Sequence, residues 1–191
     1  DVEDNLADGE EIVSNPAETQ MYNATKVSGR TKKNLGIGFF NAVTGAMYAE
    51  IENQDGDSGK VLTEPLANYN IVSFDQALKN QSYVSVINTN VMRAGNGRDA
   101  NATGTEFRFA NKKNTYALSG GLNVTQIWDK DLNDKGYEAG YATNLTWGKV
   151  SGNFQYRLLT NIESDTYDPN DLGFLYNNNE WSTGVRLNYN T

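Results

Sequence analysis

The chain has 191 residues, with 16 Lys plus Arg against 24 Asp plus Glu for a net charge of -8, a balance that works against binding nucleic acid or other phosphate-rich partners. Cysteine and histidine are both absent, which removes thiol nucleophiles, disulfides, thiolate or imidazole metal sites and the usual neutral-pH general base. No catalytic residue, metal ligand set or cofactor is therefore assigned, and the composition argues against an enzyme on these residues.

Mean hydropathy is low, at -0.64, and no run approaches the eighteen or so apolar residues of a membrane helix. Neither point counts against a membrane barrel, whose strands turn alternate side chains to lipid and to a polar lumen. Eighteen Gly, eleven Tyr and three Pro make a strand-and-turn composition.

Taken in chain order, residues 1–18 are acidic, contain Pro16 and read as an irregular lead-in. The start at Asp1 without a signal peptide reads as a processed product or a piece of a longer precursor. From there the alternation predicts nine strands, at about 19–29, 34–44, 60–78, 81–94, 101–111, 115–129, 136–149, 152–165 and 180–190. In the second, Leu35, Ile37 and Phe39 alternate with Gly36 and Gly38. In the sixth, Leu118, Leu122, Val124 and Trp128 share a face opposite Ser119, Asn123 and Thr125. The last three are the clearest: Tyr141, Thr143, Leu145 and Trp147; then Phe154, Tyr156, Leu158, Thr160 and Ile162; then Trp181, Thr183, Val185, Leu187 and Tyr189, each set alternating with polar residues or glycine and only Leu159 breaking the pattern.

Short polar turns at 30–34, 79–81, 111–114 and 149–152 alternate with long connections at 45–68, 93–101, 129–136 and 163–180. That rhythm suits a barrel with tight periplasmic turns and extended external loops, and a Greek-key sandwich has no reason to keep it. Charge sorts with it. Arg30, Lys32, Lys33, Lys79, Lys112, Lys113 and Lys149 fall at the short-turn end, and most carboxylates fall in or beside the long loops.

The expected fold is an all-β, antiparallel, transmembrane up-and-down β-barrel, of which 19–191 would supply about nine strands. Bacterial single-chain barrels have even strand numbers, so further strands are expected outside the 191 residues.

Four stretches carry a resemblance: SGRTKKNLGIGFFNAVT (Ser28 to Thr44), EPLANYNIVSFDQALKNQSYVSVINTNVMR (Glu64 to Arg93), RDANATGTEFRFANKKNTYALSG (Arg98 to Gly120) and SGNFQYRLLTNIESDTYDPNDLGFLYNNNE (Ser151 to Glu180). Together the sequence resembles the C-terminal region of a Bacteroidetes outer-membrane family, in which a module like family-nine carbohydrate-binding domains precedes a barrel domain of unassigned function. The resemblance implies a bacterial outer-membrane location and a link to glycan or nutrient capture, with lipid, glycan and other subunits of an outer-membrane complex as partners.

Candidate residues follow from this expectation. Arg108, Arg157 and Arg186 fall on the polar side of their strands and would face the lumen, where a charge needs a partner. Asp165, Asp168 and Asp171 surround Pro169 in the longest loop near the end of the chain, where they could bind a cation or a sugar, fold inward as a constriction, or simply shape turns. Trp128, Trp147 and Trp181 suit aromatic girdles at the membrane interfaces better than a sugar-stacking platform. Asp55 and Asp57 read as an acidic hairpin tip rather than a calcium loop. The competing architecture is a soluble, secreted β-sandwich that binds carbohydrate or acts as an adhesin and buries its apolar face.

Overall fold

A computed structural model describes residues 6–95, 97–132 and 134–191, and they are all-β and antiparallel, with no helix among them. The strands are β1 (Glu11–Ser14), β2 (Met21–Arg30), β3 (Leu35–Thr44), β4 (Met47–Glu52), β5 (Ser58–Glu64), β6 (Ala67–Ala77), β7 (Tyr83–Arg93), β8 (Asp99–Ala110), β9 (Tyr116–Trp128), β10 (Tyr137–Lys149), β11 (Phe154–Glu163) and β12 (Trp181–Tyr189). They form two open sheets, one of nine strands in the order β12-β11-β10-β9-β8-β7-β6-β3-β2 and one of three in the order β1-β4-β5.

The large sheet is a meander, because each short turn returns the chain beside the strand it has just left. Asn34, Asn80, Gln81, Asn114 and Gly152 sit in these turns with positive φ, a conformation that Asn and Gly adopt most readily. In two places the chain departs from the expected pattern. The long stretch read as one strand at 60–78 is broken at Pro65, which cannot donate to a ladder, so β5 leaves the large sheet and pairs with β4 as a hairpin. The acidic lead-in is not wholly irregular either: Glu11 and Ile12 pair with Glu52 and Ile51. Residues 1–5 lie outside the described residues.

Register sorts the side chains of the large sheet into two unlike faces. Following direct cross-strand partners, one face carries Ile37, Phe74, Val86, Leu122, Leu145, Leu158 and Val185, among others, and nearly all the large apolar side chains that remain exposed on this sheet lie there, Met21 and Ile87 being exceptions. The other face is mostly polar or small, with Phe40, Tyr69, Ile71, Ile87 and Leu159 among its larger apolar members. Every buried hydrophobic residue of the large sheet lies on it: Ala42, Ala67, Val91, Ala100, Ala117, Ile127 and Ala142. The usual relation is inverted, since the big apolar side chains are outside and the buried ones are mostly alanine.

The apolar face is not uniform. One row of direct partners reads Thr25, Asn41, Asn70, Asn90, Asn101, Gln126 and Ala139 across seven strands. Asn41 Nδ2 donates to Asn70 Oδ1 at 2.9 Å, Asn88 Nδ2 to Asn101 Oδ1 at 2.8 Å, and Asn101 Nδ2 to Gln126 Oε1 at 3.2 Å. Gln126 in turn donates to the Tyr137 hydroxyl at 3.2 Å. These amides therefore satisfy one another rather than standing unpaired on an apolar surface.

The same row measures the stagger of the sheet. On β2 it passes five residues from the short-turn end at Arg30, and on β10 ten residues from Lys149. Spread over six strand steps, that drift tilts the strands by about 30° from the axis, near the inclination of barrel strands.

Candidate functional site

The most elaborately built feature on the polar face is the connection from β11 to β12, residues 164–180. It leaves the end of the sheet, turns back and lies across the polar side of five strands. At its start the Tyr141 amide donates to Ser164 Oγ at 2.9 Å, and Thr166 Oγ1 donates to the Ala139 carbonyl at 2.8 Å. Here the backbone of the loop rests directly on β10, where Gly140 has no Cβ; any side chain at 140 would collide with the carbonyl of Thr166. Further along, the Asp168 amide donates to Thr125 Oγ1 on β9 at 3.2 Å, and Thr125 is buried.

Beyond β9 the loop is held by charge. Asp171 accepts from Arg98 Nε at 2.7 Å and pairs with Arg93 Nη1 at 3.1 Å, while Asp168 accepts from Arg98 Nη2 at 2.7 Å. Arg93 ends β7 and also donates to the Arg98 carbonyl, so the two guanidiniums and two carboxylates form one connected lock. The Asp171 side chain is only 9% exposed and that of Arg93 16%, which makes these pairs stronger than surface ion pairs. Next to the lock, Leu172 packs against Ala67, Val91 and Ala100, a socket on β6, β7 and β8 that exists because those residues are small.

The titration behaviour agrees with this geometry. Burial by itself would raise the Asp168 carboxyl, but the Asn170 backbone N–H, at 3.0 Å, and Arg98 outweigh it and hold that group below the usual carboxylate range. Burial also works against charge on Arg98, yet hydrogen bonds and attraction from Asp171 and Asp168 keep its guanidinium above the ordinary value. Between the loop and β10 lies a polar cavity of about 590 Å³, lined in part by Glu138, Asp165, Tyr167, Asn170 and Tyr176.

The three loop aspartates named from sequence thus separate. Asp168 and Asp171 belong to the lock, and Asp165 stands apart, exposed at the cavity rim. Arg108, Arg157 and Arg186 lie together on the polar face near the short-turn end, far along the strands from the loop. Trp128, Trp147 and Trp181 are all on the apolar face. Trp128 lies tilted against Tyr137 at 5.5 Å toward the long-loop end, and Trp147 meets Tyr156 edge-on at 5.7 Å toward the short-turn end. Asp55 and Asp57 shape the β4–β5 turn, where both backbone amides donate to Asn53 Oδ1.

Arg93, Arg98 and Gly140 were not singled out by sequence reasoning. A signal existed for the arginines: they are cations on the rim where most of the carboxylates fall. Nothing in the sequence marks Gly140 among eighteen glycines.

The family model described as Domain of unknown function (DUF5916) matches residues 1–191. The chain belongs to this family. No curated protein and no solved structure matches it. The DUF5916 description assigns no activity, so function has to be argued from the two faces and the loop. No helix among the described residues is long and apolar enough to cross a membrane, which leaves crossing by strands untouched.

Proposed function

We propose that this DUF5916 chain is a wall of a β-barrel in a bacterial outer membrane, acting as a pore or scaffold whose lumen is narrowed by the loop at 164–180. The observation that carries this reading is the exposed apolar face. Leu145 at the middle of β10 is 43% exposed and Leu158 on the neighbouring strand 45%, in a continuous surface that water would disfavour and hydrocarbon would solvate.

Aromatic side chains bound that surface at both ends, as at membrane interfaces. On β12, Trp181 and Tyr189 are eight residues apart on the apolar face, about 26 Å along the strand and about 23 Å once the tilt is included. An apolar band of a barrel is about 25 Å tall. A sandwich would need a second sheet over this face, and the described residues leave it uncovered.

Closure follows from strand count. With nine strands in one meander, edge strands β2 and β12 run in the same direction, and antiparallel closure requires an odd number of further strands. We infer that strands outside the 191 residues supply it. The small residues on the polar face suit the crowded inner side of a curved sheet. In this reading the partners are outer-membrane lipid and other parts of an outer-membrane assembly, and the link to Bacteroidetes and to glycan or nutrient capture rests on the resemblance in the four quoted stretches.

Fractionation of the full-length protein tests the proposal. Recovery in detergent-extracted outer membranes, as a folded species whose gel migration shifts on boiling, is the expected result. Recovery as a soluble, detergent-independent protein would refute it.

A further inference from the structure

The polar face carries a second cluster that the loop does not use. Arg108 on β8 and Arg157 on β11 flank a cavity of about 470 Å³ at the short-turn end, with a floor of Ala117, Ser119, Thr146 and Gly148 from the two strands between them. Three strand steps and a register offset of two residues separate the two backbones by about 16 Å. Arg186 is the direct cross-strand partner of Arg157, and both line an adjoining recess with Gln155 and Asn188.

No carboxylate lines either space. Arg108 donates to the Gln81 carbonyl at 2.8 Å, and none of the three arginines is ion-paired among the described residues. Glu106 is the carboxylate nearest in sequence on the same face, two residues from Arg108, and it lines neither cavity. Two guanidiniums directly opposite each other repel unless something negative lies between them. The chain's other three arginines are ion-paired: Arg93 and Arg98 have aspartates, and Arg30 has Asp75. Here it leaves three together beside hydroxyls and amides, which are the groups that complete the coordination of an oxyanion.

We propose that Arg108, Arg157 and Arg186 form a binding site for a small oxyanion, the phosphate or carboxylate group of a solute. The chain's net negative charge does not oppose this, because most of its carboxylates lie in or beside the long loops at the opposite end. The site stands on the geometry of the polar face; only its position in a lumen rests on the barrel reading, so the two can fail separately.

Inorganic phosphate is the probe, titrated calorimetrically into the full-length protein in neutral detergent at low ionic strength, with sodium chloride at matched ionic strength as reference. Saturable binding is expected, weakened at least about tenfold by Arg157→Gln and by Arg108→Gln, with Arg157→Lys intermediate because it keeps charge but loses the fork. Arg186→Gln separates binding from misfolding: removing the like-charge pair should raise the melting temperature in phosphate-free buffer while lowering phosphate affinity. Lys32→Gln, which removes a rim charge, should leave affinity unchanged. Absence of phosphate binding in the parent protein, or affinity unchanged from the parent in the Arg108 and Arg157 variants, would overturn the proposal. The titration decides this whether the protein is recovered from membranes or from the soluble fraction.

Discussion

The two faces of the nine-stranded sheet are built from the same strands at alternate residues, yet they solve opposite problems. On the apolar face Leu145 and Leu158 stand exposed, whereas on the polar face Ala100 and Ala142 are buried and a seventeen-residue loop is locked down. A water-soluble sheet places its large apolar residues under cover and leaves small or polar ones outside. The proposed barrel accounts for the reversal, because in it the apolar face meets lipid rather than water.

The largest expected effect breaks that comparison directly. Leu145→Arg should destabilise the protein in lipid vesicles by about 2–4 kcal/mol, the cost of a cation near a bilayer midplane, while Asn144→Arg one residue away, on the polar face, should lose under about 1 kcal/mol. Urea unfolding from vesicles measures both, and equal losses would erase the distinction between the faces.

Next in size is the lock. Asp171→Asn leaves Arg93 and Arg98 without their shared partner and should release the loop at a cost of about 2–3 kcal/mol, less than for a fully buried pair because Arg98 retains some solvent. Gly140→Ala attacks the same loop through sterics and should cost about 1–3 kcal/mol. Hydrogen exchange and limited proteolysis within 164–180 read both variants, with the strands themselves unchanged.

A smaller effect is tied to pH. Because the Asp168 carboxyl is held below its ordinary value in the folded chain, its contribution is complete above the unfolded carboxylate pKa, near about 4, and is lost as pH falls through the folded one. Loop protection should therefore be flat at neutral pH and decline only in acid, and Asp168→Asn should remove the part of the decline that this group causes. Smallest of all, Asp165→Asn should change loop protection by less than about 0.5 kcal/mol, since its side chain makes no part of the lock.

The architecture of the large sheet was legible because its signals are local. Period-two alternation locates the nine strands, and the Asn and Gly residues of the short turns mark where they reverse. What stayed hidden depends on residues far apart in sequence. Arg98 meets Asp171 across 73 positions and Asp168 across 70, and no local pattern encodes such a pairing. The amide row is spread over Asn41, Asn70, Asn90, Asn101 and Gln126, which become neighbours only when register is known. The β4–β5 hairpin was obscured for a different reason: its second strand runs almost directly into β6, and Pro65 was the one residue that argued for a break.

The absence of cysteine gives a direct measurement of the central claim, that the apolar face is in contact with lipid. Single substitutions Y141C, A142C, T143C, N144C, L145C, T146C and W147C along β10, each spin-labelled in vesicles, can be challenged with a lipid-soluble and a water-soluble relaxation agent. The account predicts strict alternation, with labels at 141, 143, 145 and 147 relaxed from the lipid phase and those at 142, 144 and 146 shielded from it. Labels at 143 and 145 that respond to the water-soluble agent as strongly as those at 142 and 144 would contradict it.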